Sequence, residues 1–275
     1  MTVALLTAAG IGSRMHLEIP KQFLHVGGRP VIVRTMEAFQ RHPQIDAIIV
    51  VTLEPWTDTV KAYAVRFGIT KLRWIVPGGE SGQESIALGL LELEKHCCNS
   101  DAVVIHDGNR PLVSEEIISD SLATYRQFGC AVAAMPCVEA VFRSGNGRDS
   151  SDFIPREELF RTQTPHTYSL EKLLWAHRKA AENHIKNTAA TCVLMNMLGE
   201  KIYFSKGSDK NLKLTTQDDL DIFKALIKHG DAEESPVLGG ENSGATFART
   251  RRGGVRKYSV IPFARDCAAS FREVA

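Results

Sequence analysis

At 275 residues, with 44% hydrophobic and 24% charged side chains, the chain has ordinary globular composition and enough length to bury a sizeable core as one large α/β domain or two small ones. A formal net charge of +1 gives no global reason to expect nucleic acid or a membrane surface as partner. No apolar run reaches the roughly eighteen residues of a membrane span. No charged leader with a cleavage site precedes the first apolar run, so no signal peptide is expected. The six cysteines lack C-x-x-C spacing, which fits reduced thiols and a cytoplasmic location.

In chain order, short apolar runs alternate with amphipathic stretches. Strands are predicted at Ala4–Thr7, Ala47–Thr52, Arg73–Val76, Ala102–His106 and Cys130–Met135. Helices are predicted at Val31–His42, Thr57–Phe67, Ser85–Lys95 and Ser114–Phe128. This alternation implies a doubly wound, mostly parallel α/β sheet with right-handed crossovers. Ligands of such sheets sit beyond the carboxyl ends of the strands, which puts the loop after residue 8 and the residues after Ile105 on one rim. The segment 138–160 breaks the rhythm. Its Ser144-Gly145-Asn146-Gly147 turn predicts a protruding β-hairpin. A further unit follows, with strands at Lys201–Ser205 and Leu212–Thr215 and a helix at Gln217–His229. Residues 1–230 therefore form the expected domain and 231–275 a poorly ordered tail, basic in its last part, where residues 241–275 hold seven Lys/Arg against three Asp/Glu.

The first loop carries the strongest chemical signal. Ala8-Ala9-Gly10-Ile11-Gly12-Ser13-Arg14-Met15 leaves a strand, and Pro20-Lys21-Gln22 follows. Glycines let successive N–H groups converge on an anion, and Arg14 and Lys21 add charge, a combination suited to a triphosphate. It is neither a dinucleotide fingerprint, because position 15 is Met, nor a Walker loop. On the same rim, Asp107 of His106-Asp107-Gly108-Asn109-Arg110-Pro111 can hold Mg²⁺ or cap the next helix, and Arg110 offers a planar fork for phosphate or polyol. Gly78-Gly79-Glu80 can approach a flat base closely, with Ser85 as a contact or a plain helix residue. Lys213, within its strand-like segment, can reach a phosphate or be solvated.

Taken together, Gly10-x-Gly12-x-Arg14-Met15, Pro20-Lys21-Gln22, His106-Asp107-x-x-Arg110-Pro111, Gln163-Thr164-Pro165 and Asn211-x-Lys213-x-Thr215 resemble the 2-C-methyl-D-erythritol 4-phosphate cytidylyltransferases and the related ribitol-5-phosphate cytidylyltransferases. The resemblance spans roughly residues 3–228 and implies a Rossmann-like nucleotidyltransferase fold. It implies transfer of CMP from CTP to a polyol phosphate with Mg²⁺, release of pyrophosphate, and a homodimer whose β-arm, here about residues 138–160, crosses to the partner. It assigns Arg14, Lys21 and Lys213 to catalysis and Asp107 to the metal. Ala8, Ala9, Gly10, Gly12, Ser13, Gly79, Glu80 and Ser85 fall to the nucleotide. Arg110, Arg156, Thr164 and Thr188 fall to the acceptor, with Arg156 coming from the partner's arm.

Several positions depart from the pattern. Gly108-Asn109 follows the rim aspartate where small residues are usual. An Asp-Thr pair becomes Glu139-Ala140, an acid is lost in Thr188-Ala189-Ala190, and an arginine is replaced by Gly82. The nucleotide half is preserved and the acceptor half altered. The Met15-to-Pro20 gap and Pro111-Leu112-Val113 favour methylerythritol phosphate, the acceptor of isoprenoid precursor synthesis, with ribitol 5-phosphate for a surface polysaccharide close behind. Intact Arg14, Lys21, Asp107 and Lys213 argue against a non-catalytic nucleotide binder. A nucleotide-sugar pyrophosphorylase would not need the His106–Pro111 and Asn211–Thr215 segments together.

Overall fold

The computed structural model describes residues 1–10 and 19–233. The chain divides into two units, Met1–Ser235 and Pro236–Ala275. The expected basic tail therefore lies almost wholly outside the described residues, as do Gly12, Ser13 and Arg14.

Eleven strands and seven helices are described. The strands are β1 (Thr2–Ala8), β2 (His25–Val26), β3 (Arg29–Pro30), β4 (Ala47–Thr52), β5 (Leu72–Pro77), β6 (Ala102–Asp107), β7 (Cys130–Pro136), β8 (Val141–Arg143), β9 (Asp152–Ile154), β10 (Phe160–Ser169) and β11 (Phe204–Lys206). The helices are α1 (Val31–Arg41), α2 (Thr57–Arg66), α3 (Gly82–Glu94), α4 (Glu115–Phe128), α5 (Leu170–Glu182), α6 (Thr191–Met197) and α7 (Gln217–Glu233). Seven strands form the central sheet in the order β11-β7-β10-β6-β1-β4-β5.

Every neighbouring pair in that sheet is parallel except those made by β10, which runs antiparallel to both β6 and β7. β1 and β4 are interior strands and are buried on both faces, because helices cover each side. On one face Leu5, Ile49 and Val103 pack beneath α3 and α5 through Leu90, Leu93, Leu173 and Leu174. On the other, Leu6, Ile48 and Val104 meet α1 and α4 through Met36, Phe39, Ile117 and Leu122. A small third cluster joins Val31, Leu214, Leu220 and Phe223, fixing α7 against the start of α1.

Helix ends follow their local chemistry. Ser81, Ser114 and Ser169 cap α3, α4 and α5, each accepting a bond from the backbone N–H three residues on. Gly129 ends α4 at φ +78°, a left-handed conformation that a β-carbon would strain.

Three expectations change. β10, α5 and α6 were not anticipated, and β10 is the antiparallel member of the expected mostly parallel sheet. The strand expected at Lys201–Ser205 is β11, displaced to Phe204–Lys206. Leu212–Thr215 is not a strand. Its alternating leucines anchor a loop instead, Leu214 being buried beside Phe223. The 138–160 arm is present as the antiparallel pair β8–β9, with Phe142 and Phe153 packed edge to face and about half exposed.

Candidate active site

The carboxyl ends of β1 and β6 stand side by side, as the parallel register of Thr7 with Asp107 requires. After β1, the carbonyls of Ala8 and Gly10 both accept bonds from Gln22 Nε2, at 2.5 and 3.1 Å. Gln22 is buried within the short 3₁₀ turn Lys21–Phe23, so this carboxamide ties Lys21 to the exit of β1. Across the rim, Gly78 donates to the Thr52 carbonyl at 2.7 Å. A β-carbon on Gly78 would lie 2.3 Å from Ala9 Cβ and 2.9 Å from Ser85 Oγ. Ser85 Oγ accepts from the Gly79 N–H at 3.1 Å, and the Glu84 carboxylate accepts from Glu80 N–H at 2.8 Å. Ala9, Gly79, Glu80 and Ser85 therefore lie together in one tight backbone cradle. Ser85 lies in the first turns of α3 but spends its hydroxyl on that cradle, the cap being Ser81.

Asp107 caps no helix. That role belongs to Ser114. The Asp107 carboxylate instead receives Arg110 Nε at 2.9 Å and Lys213 Nζ at 3.1 Å. Burial alone would raise its pKa, but the two cations hold it well below the usual carboxylate range, so it is ionised at neutral pH. The Asp107 N–H donates to Thr164 Oγ1 at 3.0 Å. Among the described residues no group of three or more His, Cys, Asp or Glu is placed to hold a metal. A single ionised carboxylate remains compatible with Mg²⁺, which fills most of its octahedron with phosphate oxygens and water.

Lys213 owes its position to amide latches rather than to a sheet. Asn109 Nδ2 donates to the Leu214 carbonyl at 2.6 Å, and Leu214 N–H returns a bond to the Asn109 carbonyl at 3.0 Å. Asn211, wholly buried, donates to the Thr164 carbonyl at 2.8 Å and to Gln163 Oε1 at 3.3 Å. Arg110 Nη1 donates to the Asn211 carbonyl at 2.7 Å. Gln163 exchanges bonds with the Ser208 backbone in both directions, at 2.9 and 3.1 Å. Gln83 does the same work opposite. Its Oε1 accepts from the N–H and hydroxyl of Thr188, and its Nε2 donates to the Ile185 carbonyl. Sequence reasoning missed Gln22, Gln83 and Gln163 as positioning residues, and it counted Asn109 only as a departure from pattern.

A cavity of about 320 Å³ opens beside this centre. Asp107, Arg110, Thr164, Thr188 and Lys213 line it together with Thr7, Thr162 and Gln163, and Ile86, His166, His177, Thr191, Val193 and Leu194 complete the lining. Five predicted residues thus converge on one space. Arg156 does not reach it. Its guanidinium donates to the Val138 carbonyl at 2.9 Å at the base of the arm. His106, part of the motif, faces away from the cavity: its ring packs on Phe39 and lies 3.2 Å from the Arg110 carbonyl, bracing the turn.

The doubly wound sheet, the glycine cradle and the cation-clamped aspartate on one rim define a nucleotidyltransferase. Residues 2–229 match the family model of 2-C-methyl-D-erythritol 4-phosphate cytidylyltransferase (IspD), and the chain belongs to that family. It is a CTP-dependent cytidylyltransferase acting on a polyol phosphate. It is 42% identical over 230 residues to a ribitol-5-phosphate cytidylyltransferase of Lacticaseibacillus paracasei, covering 83% of this chain and 98% of that one. It is 33% identical over 224 residues to a 2-C-methyl-D-erythritol 4-phosphate cytidylyltransferase of Clostridium botulinum, covering 82% and 96%. Among solved structures, the 4-diphosphocytidyl-2C-methyl-D-erythritol synthase of Anaerococcus prevotii superposes with a TM-score of 0.71 at 25% identity, over 82% of this chain and 96% of that one. Among the described residues no helix is long and apolar enough to cross a membrane.

Proposed function

We propose that the acceptor is ribitol 5-phosphate, so that the enzyme makes CDP-ribitol and pyrophosphate from CTP. The observation that carries this reading is the gradient of similarity. Relatives named for ribitol 5-phosphate are 42%, 37% and 35% identical, whereas those named for 2-C-methyl-D-erythritol 4-phosphate are 33% identical, at similar coverage. The sequence motifs leaned slightly towards methylerythritol phosphate. That lean rested on the Met15-to-Pro20 gap and on Pro111-Leu112-Val113, while the departures at Ala140 and Ala189 fall in the acceptor half.

The chemistry follows from the charges on the rim. The acceptor phosphate is largely dianionic at neutral pH, so no general base is needed to activate it. One of its oxygens forms a bond to the α-phosphorus of CTP as the bond to the β-phosphate oxygen breaks, and pyrophosphate leaves with that electron pair. Catalysis then rests on in-line positioning and on fixed cations meeting the growing charge. Lys21, tied to the first loop by Gln22, serves the triphosphate with Arg14. Lys213 and Arg110, held by Asp107 and the amide latches, bring the acceptor phosphate alongside, and the hydroxyls of Thr164 and Thr188 orient it. The cradle of Ala8, Ala9, Gly10, Gly79, Glu80 and Ser85 receives cytosine and ribose. Asp107 would hold Mg²⁺, which would neutralise phosphate charge when bound. Arg156 belongs, in this reading, to the acceptor site of a second copy in a homodimer, consistent with its distance from its own cavity and with the exposed Phe142 and Phe153 of the arm.

The test is pyrophosphate release from CTP with each acceptor offered separately. A kcat/KM at least tenfold higher for ribitol 5-phosphate than for methylerythritol 4-phosphate is expected. The reverse preference overturns the reading.

A further inference from the structure

Three residues that line the cavity carry a buried side-chain atom without a hydrogen-bond partner: His166 Nδ1, His177 Nε2 and Thr191 Oγ1. They come from different elements, β10, α5 and α6, so no single local distortion accounts for them. Buried polar atoms in folded proteins are almost always paired, and each one left alone costs free energy. Three such atoms around one cavity constitute a preformed set of hydrogen-bonding positions awaiting an occupant.

The character of that occupant can be read from the wall. Burial pushes the pKa of both imidazoles down to about 4, so each is neutral at physiological pH. Among the cavity-lining residues, the charged groups (Asp107, Arg110 and Lys213) are the clamped cluster at the rim, and Ile86, Val193 and Leu194 add apolar surface. An anion gains nothing at His177, on which no charged group acts. A hydroxyl does gain, because it both donates and accepts and so suits a neutral imidazole in either tautomer and a threonine hydroxyl.

We infer that His166, His177 and Thr191 are specificity-determining residues that hydrogen-bond the hydroxyls of the acceptor's carbon chain, beyond the phosphate held at the rim. The inference rests on the acceptor being a polyol phosphate bound in this cavity, and it deepens the ribitol assignment. Ribitol 5-phosphate offers four free hydroxyls on an unbranched chain. Methylerythritol 4-phosphate offers three and sets a methyl group on the chain, which would leave part of this polar wall unmatched. A site built to pair with substrate hydroxyls discriminates strongly against analogues that lack them, because its own groups are then stranded.

The experiment compares wild type with Thr191→Val, His177→Leu and His177→Gln, each measured for KM of CTP, KM of acceptor and thermal midpoint. Thr191→Val is nearly isosteric and removes a stranded hydroxyl, so its thermal midpoint should hold or rise while its acceptor KM increases about tenfold. His177→Leu should raise acceptor KM tenfold or more with CTP KM unchanged, and His177→Gln, which restores a donor and an acceptor, should recover part of the loss. A purely structural role would not separate the acceptor KM from stability in this way. Folded variants with unchanged acceptor KM, or with CTP KM rising in parallel, overturn the inference. Should wild type prefer methylerythritol phosphate, the ribitol assignment fails alone. The wall is then tested by the same variants against that substrate, where a raised KM supports it and an unchanged one refutes it.

Discussion

Replacing Asn211 by alanine removes the side chain that joins the two halves of the acceptor site. Its amide is wholly buried and donates to the Thr164 carbonyl at 2.8 Å and to Gln163 Oε1 at 3.3 Å. Gln163 keeps its exchange with Ser208, so the main loss is the donor to Thr164. An acceptor left unmet costs about 1–3 kcal/mol, and the small void left by the carboxamide adds about 1 kcal/mol. A total near 3 kcal/mol corresponds to a fall of about 6–12 °C in thermal midpoint for a unit of this size. The functional loss comes through Arg110, which bonds the Asn211 carbonyl at 2.7 Å, and through Lys213 two residues further on. Displacement of catalytic groups by about 1 Å can cost about 10²-fold in rate, so kcat should drop between tenfold and a hundredfold while KM for CTP changes little. Circular dichroism melts and steady-state pyrophosphate release measure both quantities. The companion Asn211→Asp keeps the shape but turns an oxygen towards the Thr164 carbonyl, so it should be worse than alanine. An aspartate variant with wild-type melting and turnover would refute the argument that the Nδ2 donor fastens this loop.

Two further outcomes are expected. Asp107→Asn removes the negative partner of Arg110 and Lys213, and kcat should fall at least a hundredfold with CTP binding kept within a few-fold. Titration calorimetry and turnover together decide, and a rate within tenfold of wild type would take Asp107 out of the site. Gly78→Ala places a β-carbon 2.3 Å from Ala9 Cβ, a rigid neighbour, and such overpacking costs about 1–3 kcal/mol. The strain falls on the nucleotide cradle, so KM for CTP should rise about tenfold with acceptor KM unchanged. An unaltered CTP KM would place the base elsewhere.

Much of the fold was legible because the responsible forces are local. β4 matches its expected range, Ala47–Thr52, since six consecutive apolar or β-branched residues in a doubly covered sheet leave little alternative. α4 starts beside Ser114 and stops at Gly129 because its caps are written in the chain. α5 carried a readable signal in Leu170, Leu173, Leu174 and Ala180 behind a serine cap, and the reading overlooked it. β10 was different. Phe160-Arg161-Thr162-Gln163-Thr164-Pro165-His166 is polar, contains proline and reads against a central strand. Its register against β7 shifts between Thr162 and His166, so Pro165 falls where the ladder is interrupted. Leu212–Thr215 failed in the opposite sense, since alternating leucines mimic a strand when both pack on one apolar cluster, Leu214 buried and Leu212 half-buried.

The sequence by itself determined the chemistry available: a glycine loop with flanking cations, one rim aspartate, a distant lysine, and the order in which they occur. Those residue types announce phosphate transfer because few other tasks need them together. Only the tertiary structure decided which carboxamides fasten the site and where the cavity ends. Asn109 meets Leu214 across 105 positions of chain, and Thr188 meets Gln83 across the same separation. A side-chain amide can pair with any exposed backbone group. Its partner is therefore chosen by strand order and register, which no stretch of neighbouring residues contains.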